Sequence, residues 1–101
     1  MIVVRDIFRL KFGKSKEATV LWKQAMMALQ KTGYGAKGVR LLTDMAGPDY
    51  YTLILESSHD SLAQWEEAAR SEKVNAQWKE LYQQIIPLTE SGHREILSVI
   101  E

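Results

Sequence analysis

The residue of this chain best suited to chemistry is a carboxylate in an apolar strand. Asp6 lies between Val4 and Phe8 in a stretch whose side chains alternate between two faces. Alternation therefore points Asp6 toward the same side as those apolar neighbours. A carboxylate in such surroundings needs a partner or acquires a raised pKa, and a raised pKa suits a general acid or base at neutral pH.

Large aromatic side chains are expected on the same side of the sheet as Asp6. One carboxylate facing several rings would suit a flat aromatic substrate, with Asp6 as general base. In the alternative interpretation Asp6 is structural: it pairs with Arg94 or caps a helix, and the tryptophans fill the core. The residues assigned to the ligand pocket are Trp22, Tyr51, Trp65, Trp78 and Tyr82.

Other reactive groups lack a spacing that supports catalysis. The chain has no cysteine, which excludes thiolate nucleophiles and zinc–thiolate sites. His59 and His93 have no second ligand at a metal-binding spacing, so we expect neither a metal nor a cofactor. Ser57 lies outside any Gly-x-Ser-x-Gly context and is interpreted as a helix-capping residue. The glycines of 33–38 follow a helix and precede a strand, the reverse of the nucleotide-binding order, which indicates a connection.

Size and charge narrow the class of protein. The 101 residues predict one domain, 1–101. Thirteen basic and thirteen acidic side chains cancel, so no general attraction to nucleic acid or to anionic membranes is expected. No apolar run has transmembrane length, and the N-terminus does not resemble a signal peptide. Together with the absence of cysteine, these features predict a cytoplasmic protein.

Hydrophobic periodicity predicts the elements that must position Asp6 and the rings. A strand is followed by a helix, then by two strands joined by a turn at 46–49. A helical segment with a kink or break near Ser71 comes next, and Pro87 closes it. Residues 89–92 are expected to be a loop before a last strand. The predicted strands are 2–12, 38–45, 50–57 and 93–100, and the predicted helices lie within 16–31 and 58–87.

The predicted fold is therefore ferredoxin-like: β-α-β-β-α-β, with helices on one face of a four-stranded antiparallel sheet. The opposite face mixes aliphatic side chains with both signs of charge, which favours burial against a second copy of the chain. The alternative is a solvated sheet face. The residues assigned to the dimer interface are Arg5, Ile7, Arg9, Arg40, Leu42, Ile54 and Glu56. The arginines would face Asp44, Glu56 and Glu95, and the register of the last strand leaves the faces of His93 and Glu95 open.

Three short motifs carry a resemblance to a known superfamily. They are Lys11-Phe12-Gly13-Lys14, the Leu62-x-x-Trp65 helix, and Ser71 followed by Trp78. With this layout the chain resembles the dimeric α+β barrel superfamily, within it the NIPSNAP-like and antibiotic-biosynthesis-monooxygenase-like families. The resemblance implies a homodimer whose two sheets form a barrel, with a pocket between the sheet and helices of each subunit.

The haem-degrading members of that superfamily use an Asn, a Trp and a haem-ligating His. The resemblance places Asp6 at the Asn position, Trp65 at the Trp position and Trp78 at the His position. An indole cannot ligate iron, so haem breakdown is disfavoured. Two functions stay open: a cofactor-independent monooxygenase or isomerase acting on an aromatic or polyketide-like molecule, and a non-catalytic small-molecule-binding or accessory protein.

Overall fold

The elements follow the predicted order, with the second helical segment in two pieces. The computed structural model describes all residues, 1–101. The strands are β1 (Ile2–Leu10), β2 (Val39–Thr43), β3 (Thr52–His59) and β4 (Thr89–Ser98). The helices are α1 (Ser15–Lys31), α2 (Leu62–Ala69) and α3 (Glu72–Ile85), and a 3-10 turn (Ile86–Leu88) leads into β4.

The four strands form one antiparallel sheet in the order β2-β3-β1-β4. The helices pack on one face, which confirms the ferredoxin-like prediction. The break predicted near Ser71 is also confirmed, because that residue separates α2 from α3 in an extended conformation. At the start of α2, the Ser61 side chain accepts a hydrogen bond from the Gln64 backbone N–H, as an N-cap residue does.

Alternation along β1 fixes the two faces of the sheet. Val4, Asp6 and Phe8 are buried on the helix side, whereas Arg5 and Ile7 lie half-buried on the open side. Residues paired across antiparallel strands share a face. This register therefore decides which side chains of β3 and β4 can meet Asp6.

Several predicted strand ends were wrong, and two of them bear on the site. β3 extends beyond its predicted end at 57 to His59, which was expected at a helix start, because β1 offers paired backbone along that whole length. Residues 89–92 were expected to form a loop but belong to β4, since Phe8 and Arg9 pair with them. Gly92 suits this position: a Cβ atom there would lie 2.8 Å from Phe8 Cδ1.

β4 is an edge strand that the helices leave uncovered. Every β4 residue after Thr89 is exposed, including those on the helix side of the sheet. The adjacent β1 is buried on that side. An open flank therefore runs beside the buried residues of β1, and β4 supplies its floor.

Candidate functional site

The Asp6 carboxylate is buried and is paired with Arg94, its register partner on β4. Arg94 Nε donates to Asp6 Oδ1 at 2.6 Å, and Asp6 Oδ2 has no hydrogen-bond partner. Burial raises the pKa of Asp6, and the hydrogen bond and charge of Arg94 offset only part of that rise. The ion pair that the sequence left open as the structural alternative is thus present, but it satisfies only one carboxylate oxygen.

Arg94 lies between this carboxylate and an indole ring. Its Cζ atom is 5.2 Å from the centre of the Trp65 ring, within the range of a cation–π contact. Partial burial alone would lower the pKa of Arg94, but the hydrogen bond and charge of Asp6 outweigh it and raise that pKa. The side chain is 42% exposed, so a positive charge with a fixed position reaches the surface.

Next to this pair lies a chain of hydrogen bonds centred on the buried Tyr34. The Tyr34 hydroxyl accepts from Trp65 Nε1 at 3.2 Å and from Ser57 Oγ at 3.4 Å. His59 Nε2 lies 2.9 Å from the same Ser57 oxygen. Burial raises the pKa of Tyr34, so this phenol stays protonated. The chain fixes the indole on which Arg94 lies.

Sequence reasoning missed Tyr34, Ser57 and His59 as members of this cluster. Tyr34 lies in the glycine-rich connection, where periodicity carries no information. Gly33 and Gly35 have φ values of +90° and +69°, a left-handed backbone that favours glycine. These turns direct Tyr34 into the core. The one feature of the sequence that could have indicated a buried Tyr34 is a single aromatic residue between two glycines.

The aromatic residues form a row from the core to the flank of β4. Trp22 is fully buried, 4.8 Å from the Phe8 ring and 5.9 Å from the Trp78 ring between centroids. Trp78 stacks on Tyr82 at 5.4 Å, and both are partly exposed. The structure therefore brings Trp65, Trp78 and Tyr82 to the flank, while Trp22 supports them from behind.

Tyr51 does not belong to this group. It precedes β3 with a φ of 62° and lies edge-on to Phe12, 5.4 Å between ring centroids. Because its backbone is left-handed, strand alternation begins only at Thr52, and the predicted helix-facing orientation does not extend back to Tyr51. The ring lines a different, exposed cleft with Tyr50 and Leu10.

The flank of β4 contains a cleft of about 260 Å³. Tyr82, Phe8 and Gly92 line it, and Gly92 lies two residues from Arg94 on the same face of β4. None of the main clefts is lined by Asp6. The remaining lining residues are Ile85, Ile86, Thr89, Glu90 and Ser91.

The open face of the sheet holds the charges assigned to a dimer interface. Glu56 is buried there between two arginines: Arg5 Nε reaches its Oε2 at 3.0 Å, and Arg40 Nη2 reaches its Oε1 at 2.9 Å. Arg9 Nε lies 3.7 Å from Glu90 Oε2. These pairs form within the chain, whereas the sequence analysis offered the arginines to acidic groups across an interface.

The register of β4 places His93 and Glu95 on this open face, a point that the sequence left open. His93 Nε2 lies 3.8 Å from Glu95 Oε1. His93 pairs with Ile7 and Glu95 pairs with Arg5. A second cleft, of about 560 Å³, lies here, with Ile7, Leu42 and Ile54 among its lining residues.

The two histidines lie on opposite faces of the sheet. No group of three or more His, Asp or Glu side chains is placed to hold a metal ion. His59 is hydrogen-bonded to Ser57 and His93 lies on the opposite face, and the resemblance assigns Trp78, whose indole cannot ligate iron, to the position of the haem-ligating histidine. The residues present therefore do not fit haem.

None of the helices combines the length and hydrophobicity needed to cross a bilayer.

The fold is shared with solved structures, whereas neither a protein-family model nor a curated protein sequence matches the chain. A NIPSNAP family protein from Agrobacterium tumefaciens has a TM-score of 0.73 at 24% identity, over 99% of this chain and 93% of that one. A second from that organism, a NIPSNAP family protein of unknown function, has a TM-score of 0.78 at 18% identity, over 96% and 86%.

An antibiotic biosynthesis monooxygenase has a TM-score of 0.71 at 10% identity, over the full length of both chains. These similarities confirm the fold resemblance drawn from the sequence motifs. At such identities they show a common architecture, and chemistry must be argued from the residues.

Proposed function

We propose that this protein binds a small, flat aromatic molecule on the flank of β4 without transforming it. The observation that carries the proposal is the group formed by the exposed Arg94 and Tyr82 and the half-buried Trp65, beside a strand that no helix covers. Aromatic walls with a few fixed polar groups are the usual lining of small-molecule sites. The cleft of about 260 Å³ lies near the lower end of ligand-pocket volumes, about 300 Å³, which favours a ligand of one or two rings.

Binding is tested by titrating the protein with one- and two-ring aromatic molecules in a thermal-shift assay and by calorimetry. A ligand that binds the native state raises the melting temperature. Tyr82→Ala should weaken binding at least about tenfold, because it removes one wall of the cleft. Tyr50→Ala, at an exposed tyrosine of the β2–β3 loop, is the matched control. Failure of every ligand, or equal effects of the two variants, would contradict the proposal.

A second candidate function is a cofactor-independent monooxygenase or isomerase with Asp6 as general base. The raised pKa of Asp6 favours it, as does the shared fold with an antibiotic biosynthesis monooxygenase. Asp6 would take a proton from an enolisable CH2 group of the substrate. The carbanion would either add dioxygen to form a hydroperoxide, which loses water to leave a carbonyl, or be reprotonated at another carbon. The ion pair with Arg94, and the absence of Asp6 from the main clefts, make this the second choice.

The enzyme proposal is tested with Asp6→Asn. Oxygen uptake and product formation are followed with enolisable polyphenols, and the oligomeric state is measured in parallel. Turnover by the wild type that disappears in a folded variant supports catalysis. Binding without turnover in both proteins supports the non-catalytic function.

We also propose that the open sheet face is buried against a second copy of the chain. The register places Arg40, Glu56, Arg5 and Glu95 in one row across the four strands, with alternating charge. Such a row is complementary to itself when reversed, as a two-fold axis along the strands would require. The half-buried aliphatics Ile7, Leu42 and Ile54 form the next row, where a partner would exclude water.

Dimerisation is tested by light scattering across a dilution series. Ile54→Asp should shift the chain to the monomer, because it buries an unpaired charge at the interface centre. Val20→Asp, at an exposed position on α1, should not. A wild-type chain that is monomeric at micromolar concentration would refute the dimer. We further propose that the protein is cytoplasmic, as the absence of cysteine predicts, and fractionation of cells expressing a tagged chain would test this.

A further inference from the structure

We infer that the aromatic ligand carries a negatively charged oxygen, a carboxylate, phenolate or enolate, which binds the guanidinium of Arg94. The inference rests on the proposed binding function and adds the chemical class of the ligand. It assigns a binding role to a residue that sequence reasoning considered only as a partner for Asp6.

The first argument is the unused hydrogen-bonding capacity of Arg94. A guanidinium has five N–H donors in a planar fork. Here Nε donates to Asp6 Oδ1, and no other carboxylate of the chain is within ion-pair distance of Arg94. The pair is also one-sided, because Asp6 Oδ2 has no partner and the two-bond geometry that arginine forms with carboxylates is not made. The terminal nitrogens are therefore left for another acceptor.

The second argument is that the guanidinium is held in place before any ligand arrives. Asp6 holds its Nε edge, and the Trp65 ring lies under its face. Trp65 is itself fixed through its Nε1–H, which donates to the buried hydroxyl of Tyr34. Ordering a long side chain on binding costs conformational entropy and lowers affinity. Arg94 is already ordered in the free protein, so more of the ion-pair energy appears as affinity.

The third argument is the position of the charge relative to the cleft. Gly92 and Arg94 lie on the same face of β4, two residues apart, which in a strand is about 7 Å. Tyr82 borders the cleft and is close enough to Asp6 and Arg94 for their charges to affect its pKa, which burial raises. A ring in the cleft against Tyr82 would thus present a substituent on its edge to the guanidinium.

Matched pairs of ligands test this inference: 1-naphthoate against 1-naphthamide, and benzoate against benzamide, by calorimetry at low salt. Each pair has the same rings and differs in charge. The wild type should bind the carboxylates at least about tenfold more tightly than the amides. Arg94→Gln should bring the ratio of acid to amide affinity down to about one. Arg70→Gln is the control, because it removes an exposed arginine just after α2.

The outcomes separate the inference from the function on which it rests. Equal binding of acid and amide by the wild type overturns the charged ligand but keeps the aromatic site. Failure of all four ligands overturns both. A preference that survives in Arg94→Gln places the anion elsewhere and also overturns the inference. If Arg94→Gln does not fold, because Asp6 is left unpaired, Arg94→Lys replaces it and should reduce the preference without eliminating it, since lysine lacks the planar fork.

Discussion

The two faces of this sheet each bury one carboxylate, and they treat it differently. On the open face, Glu56 has both oxygens paired, one with Arg5 and one with Arg40. On the helix face, Asp6 has one oxygen paired with Arg94 and one with no partner. Both groups are less than a tenth exposed. Burial alone therefore does not distinguish them, and the number of satisfied oxygens does.

This difference separates a structural ion pair from an incomplete one. Glu56 links β2 to β1 across β3, so its arginines are engaged on neighbouring strands. Asp6 and Arg94 leave bonding capacity on both partners, and they do so beside aromatic rings and an open flank. Unsatisfied buried polar groups are uncommon in native proteins and often mark function. The incomplete ion pair therefore indicates a ligand site on the helix face rather than on the open face.

The largest contrast between the faces is expected from two adjacent residues of β3. Leu55→Ala removes a fully buried side chain and should cost about 2–5 kcal/mol of unfolding free energy, because it leaves a cavity. Ile54→Ala, on the open face, should cost about 1 kcal/mol in dilute protein. Urea denaturation measures both. The cost of Ile54→Ala should grow with protein concentration if that face dimerises, and a constant value would argue against the dimer.

A smaller loss is expected when the complete ion pair is broken. Glu56→Gln leaves Arg5 and Arg40 without a countercharge and should cost about 1–2 kcal/mol. This is less than the about 3–5 kcal/mol of a fully buried pair, because the two arginines keep contact with solvent. Chemical denaturation of Glu90→Gln, which breaks the exposed pair with Arg9, is the control and should show a change within about 0.5 kcal/mol. Equal losses of unfolding free energy in Glu56→Gln and Glu90→Gln would mean that burial does not strengthen the ion pairs of Glu56.

Asp6→Asn should have a smaller effect, visible in the pH dependence of stability. The folded pKa of Asp6 is raised above 3.8, so the folded state binds more protons than the unfolded state between those two values. The wild type should therefore lose stability relative to Asp6→Asn as pH rises through this window, and the difference should level off above it. A difference that grows in favour of the wild type would mean that Arg94 outweighs desolvation.

The smallest expected effect concerns His59. Burial lowers its pKa below 6.5, so the unfolded state takes up the proton first as pH falls. The wild type should lose stability relative to His59→Gln between pH 6.5 and the lower folded value, and the loss is absent above that window. His93→Gln, on the exposed open face, controls for the loss of a histidine. Thermal melts between pH 5 and 8 compare the three proteins, and identical pH profiles would contradict the burial argument.

Local pattern was enough to predict the faces of the central strands. The period of two in β1 placed Asp6 among apolar neighbours and Arg5 with Ile7 on the opposite side, as found. The side chains of Tyr51 and Tyr34 were not placed correctly, because the backbone leaves that period there. Tyr51 itself has a left-handed backbone, and Tyr34 lies between two left-handed glycines. Counting along a strand or helix therefore does not predict where either side chain points.

What the sequence determined by itself is the order of the elements and the side of the sheet on which each β1 side chain lies, because both follow from short-range periodicity and turn residues. Only the tertiary structure decided that Arg94 meets Asp6, that Tyr34 and Ser57 join the cluster, and that β4 is uncovered. These facts depend on the register between strands far apart in the chain, such as 88 positions between Asp6 and Arg94. Pairing between strands so far apart depends on which faces the assembled sheet buries, and a short window of sequence does not contain that information.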